Sequence, residues 1–126
     1  MPDTKHQITV QAEVAFIPDQ SDADQRRYVF AYRITITNTG TVASQLISRH
    51  WIITDADGHV EEVKGEGVVG EQPLLHPNES FEYTSGTRIA TPVGTMRGSY
   101  QMVADDGVKF DTQIPEFTLA MPRMLH

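Results

Sequence analysis

Apolar and polar side chains alternate through Ile8, Val10, Ala12, Val14 and Phe16, and again through Tyr28, Phe30, Tyr32, Ile34 and Ile36. A period of two is what a strand with one buried face imposes, so both segments are predicted as strands. Pro18 to Gln25 between them is polar and rich in turn formers, which predicts a loop. After Asn38-Thr39-Gly40 turns the chain, Gln45 to Thr54 carries Leu46, Ile47, Trp51, Ile52 and Ile53. Apolar residues on both faces mark this as a central strand.

Asp55-Ala56-Asp57-Gly58 is a tight-turn sequence, so His59 to Lys64 is predicted to return antiparallel. Pro77-Asn78-Glu79-Ser80 introduces a strand through Phe81, Tyr83 and Ser85, and Arg88 to Gly94 reads as a loop. Met96, Gly98, Tyr100 and Met102 then form one inward face. Asp105-Asp106-Gly107 turns the chain into Val108, Phe110, Thr112 and Ile114. Beyond Pro115 the apolar positions become Phe117 and Leu119, a shift of phase that predicts a bulge at Ile114-Pro115. About seven short strands without helical periodicity predict an all-β fold, an immunoglobulin or fibronectin type III-like β-sandwich. Trp51 is its expected core plug.

Composition narrows the class. A chain of 126 residues suits one domain spanning 1–126. The absence of cysteine removes disulfides, thiolate metal sites and cysteine nucleophiles, and suits a reducing cytoplasm. Neither a secretory signal nor a membrane-length apolar run is present, so a soluble cytoplasmic protein without membrane insertion is expected. Ten basic against seventeen acidic residues give a net charge of −7, which disfavours binding to nucleic acid. The lone basic pair, Arg26-Arg27, follows Asp19, Asp22 and Asp24 and reads as a solvated loop.

Five motifs recur in order: Ser48-Arg49-His50-Trp51-Ile52-Ile53-Thr54-Asp55, Gly65-Glu66-Gly67-Val68-Val69-Gly70-Glu71-Gln72-Pro73, Phe81-Glu82-Tyr83-Thr84-Ser85-Gly86, Thr91-Pro92-Val93-Gly94-Thr95-Met96-Arg97-Gly98-Ser99-Tyr100-Gln101-Met102 and Ile114-Pro115-Glu116-Phe117-Thr118-Leu119. Together they closely resemble the ApaG family over nearly the whole chain. The resemblance implies a fibronectin type III-like sandwich and supplies no catalytic residues. Related domains are attached to eukaryotic F-box proteins and to a DNA-polymerase-interacting protein, where they look like interaction modules. In bacteria the family is associated with cobalt tolerance and magnesium efflux, and its gene often lies near a diadenosine tetraphosphate hydrolase.

Gly65, Gly67 and Gly70 spell the G-x-G-x-x-G of a dinucleotide-binding turn. That turn needs a following helix to aim N–H groups at phosphate, and Pro73 and Pro77 leave no room for one. An anion-binding nest of successive backbone N–H groups is the phosphate reading of this loop, with Glu66 and Glu71 opposing it by charge. The plainer reading is a loop that crosses the sandwich edge. His50, Asp55, Asp57 and His59 lie across a hairpin and could hold a divalent cation, although Asp55 and Asp57 are also what the turn itself requires. Ser48, Ser85 and Ser99, with His50 and His76 as bases, lack the elbow sequence of a hydrolase nucleophile. Asn78-Glu79-Ser80 is a glycosylation sequon without meaning in a cytoplasmic protein.

The expectation is therefore a small non-enzymatic ApaG-type protein-binding module without a cofactor, loosely linked to cobalt and magnesium homeostasis. Its binding loop would be Gly65, Gly67, Val68, Val69 and Gly70, with Leu74 and Leu75 adding to an apolar patch unless Val68 and Leu74 pack beneath the loop. A nucleotide- or pyrophosphate-binding accessory and a weak metal binder are the alternatives. A homodimer through a strand edge is a further expectation.

Overall fold

The structure, a computed structural model, describes residues 4–122. Eight strands are formed: β1 (Ile8–Phe16), β2 (Tyr28–Asn38), β3 (Ser44–Asp55), β4 (Val60–Glu66), β5 (Leu74–Leu75), β6 (Ser80–Ile89), β7 (Val93–Ala104) and β8 (Lys109–Ala120). They build two antiparallel sheets, one ordered β1-β2-β6 and the other β4-β3-β7-β8, with β5 pairing the start of β3. The all-β sandwich is thus present. No helix among the described residues is long and apolar enough to cross a membrane.

The alternating segments become strands because their apolar faces meet between the sheets. Phe30, Ile34 and Ile36 of β2 are fully buried against Leu46, Met96, Tyr100, Met102 and Leu119 of the opposite sheet. Trp51 takes the core position expected of it, with its ring centroid 5.4 Å from Tyr32, 5.9 Å from Phe117 and 6.3 Å from Tyr100. Tyr83 and Tyr100 join the two sheets through their hydroxyls, 2.5 Å apart.

The bulge anticipated at Ile114-Pro115 is found. Met96 pairs Phe117 while Gly98 pairs Ile114, so Arg97 is opposed by both Pro115 and Glu116. Proline has no N–H to lose there, and the extra residue turns Ile114 and Leu119 to the same interior. A second bulge has no such marker. Leu46 pairs Met102 and Ser48 pairs Gln101, leaving Ile47 as the extra residue in β3. Leu46 is therefore inward at an even position, and Trp51 and Ile53 at odd ones.

Other departures from the pattern are local. Arg88 to Gly94 is shorter as a loop than expected: β6 runs on through Ile89, which is buried and pairs Tyr28, and β7 resumes at Val93. The polar segment after β1 contains two short 3-10 turns, at Pro18–Gln20 and Ala23–Gln25. The two-residue strand β5 is too short to leave a periodic trace. It is held by Asn38, fully buried, whose Nδ2 donates to the carbonyls of Leu75 (2.9 Å) and Val42 (3.0 Å) while its Oδ1 accepts from Gly40 N–H (2.9 Å).

The two lateral sides of the sandwich differ. β1 packs on β8, closing one side. On the other, β4 and β6 are both edge strands, and a cleft of about 410 Å³ opens between them onto Trp51, Val63 and Thr87.

Candidate functional site

The glycine loop leaves β4 and is anchored to the Ile47 bulge. Gly67 N–H donates to the Ile47 carbonyl at 2.8 Å, and Gln72 Nε2 donates to the same oxygen at 2.9 Å. The first of these bonds continues the β3–β4 register by one pair, Ile47 opposite Gly67, and the second brings the far side of the turn back to the same oxygen. Gln45 Nε2 donates in turn to Gln72 O at 3.0 Å. Val68 and Glu71 then exchange two backbone hydrogen bonds, 2.8 and 2.9 Å, around Val69-Gly70. Both central residues have positive φ, 44° at Val69 and 81° at Gly70, the signature of a type I′ hairpin turn.

Each glycine of the motif has a structural reason. The guanidinium of Arg49 lies on Gly65, where a Cβ would come within 2.8 Å of Nη1. Nη1 donates to the carbonyls of Glu66 (3.0 Å) and Gly67 (2.8 Å). A Cβ on Gly67 would sit 2.3 Å from the Glu71 carbonyl, and Gly70 supplies the second positive φ of the turn. The N–H groups of Gly67, Val68 and Glu71 are all consumed within the protein. A phosphate nest needs such groups convergent and unspent.

The apolar residues of the loop divide. Val68 is fully buried and Leu75 nearly so, whereas Val69 is 57% and Leu74 49% exposed. Packing beneath the loop is thus the role of Val68 but not of Leu74. Val69 combines two unfavourable features, a β-branched side chain in left-handed backbone and a large apolar surface in water.

The four candidate metal ligands are not brought together. His50 lies in β3, its Nε2 3.0 Å from Glu62 Oε1. Asp55 is five residues away along an extended strand, roughly 16 Å at strand rise. Its Oδ1 accepts from the N–H groups of Asp57 (2.9 Å) and His59 (3.0 Å), the hydrogen bonds of the turn. Asp57 pairs with Arg26 at 2.7 Å. Among the described residues no group of three or more His, Asp or Glu side chains is placed to share an ion.

Ser48 and Ser99 are likewise engaged elsewhere. Ser48 donates to Gln101 Oε1 (2.8 Å), and Gln101 Nε2 donates to Ser99 Oγ (2.9 Å). No serine–histidine hydrogen bond is present among the described residues. His76 Nδ1 lies 2.7 Å from Glu79, whose carboxylate also accepts from His76 N–H at 2.7 Å. That backbone bond first, then the side-chain one, holds the Glu79 carboxyl below its ordinary value.

Arg49 is the residue that sequence reasoning passed over. It shares the inward phase of Trp51 and Ile53, a phase visible only once the Ile47 bulge is counted. Burial pushes Tyr83 up to about 12, with the Tyr100 hydrogen bond opposing, and burial likewise raises Tyr100; the Arg49 charge pulls slightly downward on both. Arg49 thus links the core to the glycine loop.

The ApaG domain profile matches residues 18–104. Protein ApaG of Thiobacillus denitrificans is 69% identical over 122 residues, covering 97% of this chain and 96% of the relative. Protein ApaG of Dechloromonas aromatica is 61% identical over the full length of both. In three dimensions the chain is similar to the crystal structure of the putative ApaA protein from Bordetella pertussis. The TM-score is 0.93 at 54% identity, with 98% of this chain and 100% of that one covered. With the sandwich, the glycine loop and these relatives in agreement, the chain belongs to the ApaG family.

Proposed function

We propose that the protein is a non-enzymatic binding module whose glycine loop and adjoining β5 contact a protein partner. The observation that supports this is Val69: an exposed valine held in left-handed backbone at the tip of a loop whose base is pinned by Ile47, Arg49 and Gln72. Such strain persists where surrounding structure over-determines it, and it concentrates at contact sites. Exposed Leu74 extends the apolar surface on the same connection. The family's association with cobalt and magnesium fits an indirect role, exercised through the partner.

The test is affinity capture from a bacterial lysate with wild type, Val69→Asp and Val69→Asn. A protein retained by wild type and lost with both variants, which keep the wild-type circular dichroism, supports the loop as the contact. Equal retention by all three removes it.

A further inference from the structure

The open side of the sandwich leaves β6 as an edge with no strand paired to its outer side, and its guarding differs from that of the other edges. Edge strands are kept from pairing by charge, proline or a covering element. β4 carries Glu61, Glu62, Lys64 and Glu66 among seven residues. β8 carries Lys109, Asp111, Pro115 and Glu116, and β1 packs against it. β6 has no charge and no proline from Tyr83 to Thr87, and its Ser85-to-Ile89 half borders the solvent-filled clefts on that side.

The sequence of β6 is complementary to itself. If two copies run antiparallel about a dyad at Ser85, Phe81 faces the second copy's Ile89, and Tyr83 faces its Thr87. Glu82 faces its Arg88, and this occurs twice. Inward positions thus oppose apolar or semi-polar inward positions, and the outward charges oppose with opposite sign. A shift of the dyad to Thr84 or Gly86 places Glu82 opposite Gly86 or Ala90 and forfeits both charge pairs. Arg88 is exposed and makes no ion pair among the described residues, while Glu82 has only a 3.9 Å approach to Arg33 Nε and a 3.4 Å bond from Thr35. Both charges are available.

We propose that the protein self-associates through β6, joining two three-stranded sheets into one continuous six-stranded sheet with an isologous interface centred on Ser85. This surface is separate from the glycine loop and does not rest on its proposed role.

The test is sedimentation across a wide protein concentration range. Wild type shows a reversible monomer–dimer equilibrium. Glu82→Arg sets arginine against Arg88 at both pairs, and Arg88→Glu sets glutamate against Glu82. Each alone weakens the dimer by roughly tenfold or more, since attraction becomes repulsion at two cross-strand pairs. An equimolar mixture of the two variants restores association, because both pairs are again of opposite sign; a general loss of folding cannot produce that recovery. The cysteine-free chain also allows Ser85→Cys, which forms an intermolecular disulfide on mild oxidation because the residue faces its own copy. Val69→Asn leaves the dimer unchanged, which separates this surface from the loop. A wild type that stays monomeric at every concentration overturns the proposal. So does a dimer indifferent to both charge reversals, since its contact then lies elsewhere.

Discussion

Replacing Val69 by asparagine exchanges an apolar side chain for a polar one and should nevertheless stabilise the protein. Valine at φ 44° pays the left-handed penalty of an L-residue, roughly 1–2 kcal/mol, and its branched Cβ makes that position worse still. Asparagine occupies this region readily and is the preferred first residue of a type I′ turn before glycine. Against this stands lost burial. Full burial of a valine is worth about 1.5–3 kcal/mol, but with 57% of Val69 exposed only a minor part, about 1 kcal/mol at most, can be forfeited. The net gain is about 0.5–1 kcal/mol, which raises Tm by roughly 2–5 °C for a domain of this size. Val69→Gly relieves the same strain but loosens the unfolded chain by about 0.5–1 kcal/mol, and so falls between wild type and asparagine. Urea denaturation and thermal melts of the three proteins give the ranking. An asparagine variant no more stable than wild type refutes the claim that the loop holds strain at Val69.

Asn38→Ala strips two donors and one acceptor from a fully buried site and unpins β5, so urea denaturation should register a loss of about 2–4 kcal/mol. The Tyr83–Tyr100 pair makes stability fall as pH rises beyond 10. The folded state keeps phenolic protons that the unfolded chain releases there, so the unfolded state binds fewer protons and the slope is negative. Ultraviolet titration of tyrosinate should find Tyr83 ionising only around pH 12 and Tyr100 still protonated there, and ionisation of this pair near pH 10 in the native state would contradict it. Pyrophosphate, ATP and diadenosine tetraphosphate should leave the amide resonances of Gly67, Val68 and Glu71 in place, because those N–H groups are already bonded. Saturable shifts at these three amides would restore the phosphate reading.

Much of the sandwich was legible because burial in β1, β2, β6 and β8 follows a period of two, and Pro115 announced where that period slips. The Ile47 bulge was not, since isoleucine fits either side of a strand and nothing marks the extra residue. Missing it hid the inward phase of Arg49, whose guanidinium holds the glycine loop against β3. The loop does not cross the sandwich edge as expected but returns to the same edge of β3, where β5 pairs Ser44 and Gln45, and the separate need for each of Gly65, Gly67 and Gly70 is a matter of a guanidinium, a carbonyl and a turn that meet only in three dimensions. Asn38 looked like an ordinary turn residue. Its three hydrogen bonds reach residues 2, 4 and 37 positions away, and the longest of these leaves no local trace.

The two proposed surfaces lie on different sheets: the loop is built on β3 and its bulge, whereas β6 is the edge of the three-stranded sheet. Both can therefore be occupied at once. A dimer through β6 would carry two glycine loops related by the dyad, and a partner that is itself multivalent would then bind with the second contact made intramolecular. The gain depends on association, not on any new contact at Val69. Reversing the charge at Glu82 should accordingly weaken capture by a partner immobilised at high density while leaving one-to-one affinity in solution unchanged, whereas Val69→Asn lowers both. That pattern separates a module that merely dimerises from one whose dimerisation multiplies the reach of its loop.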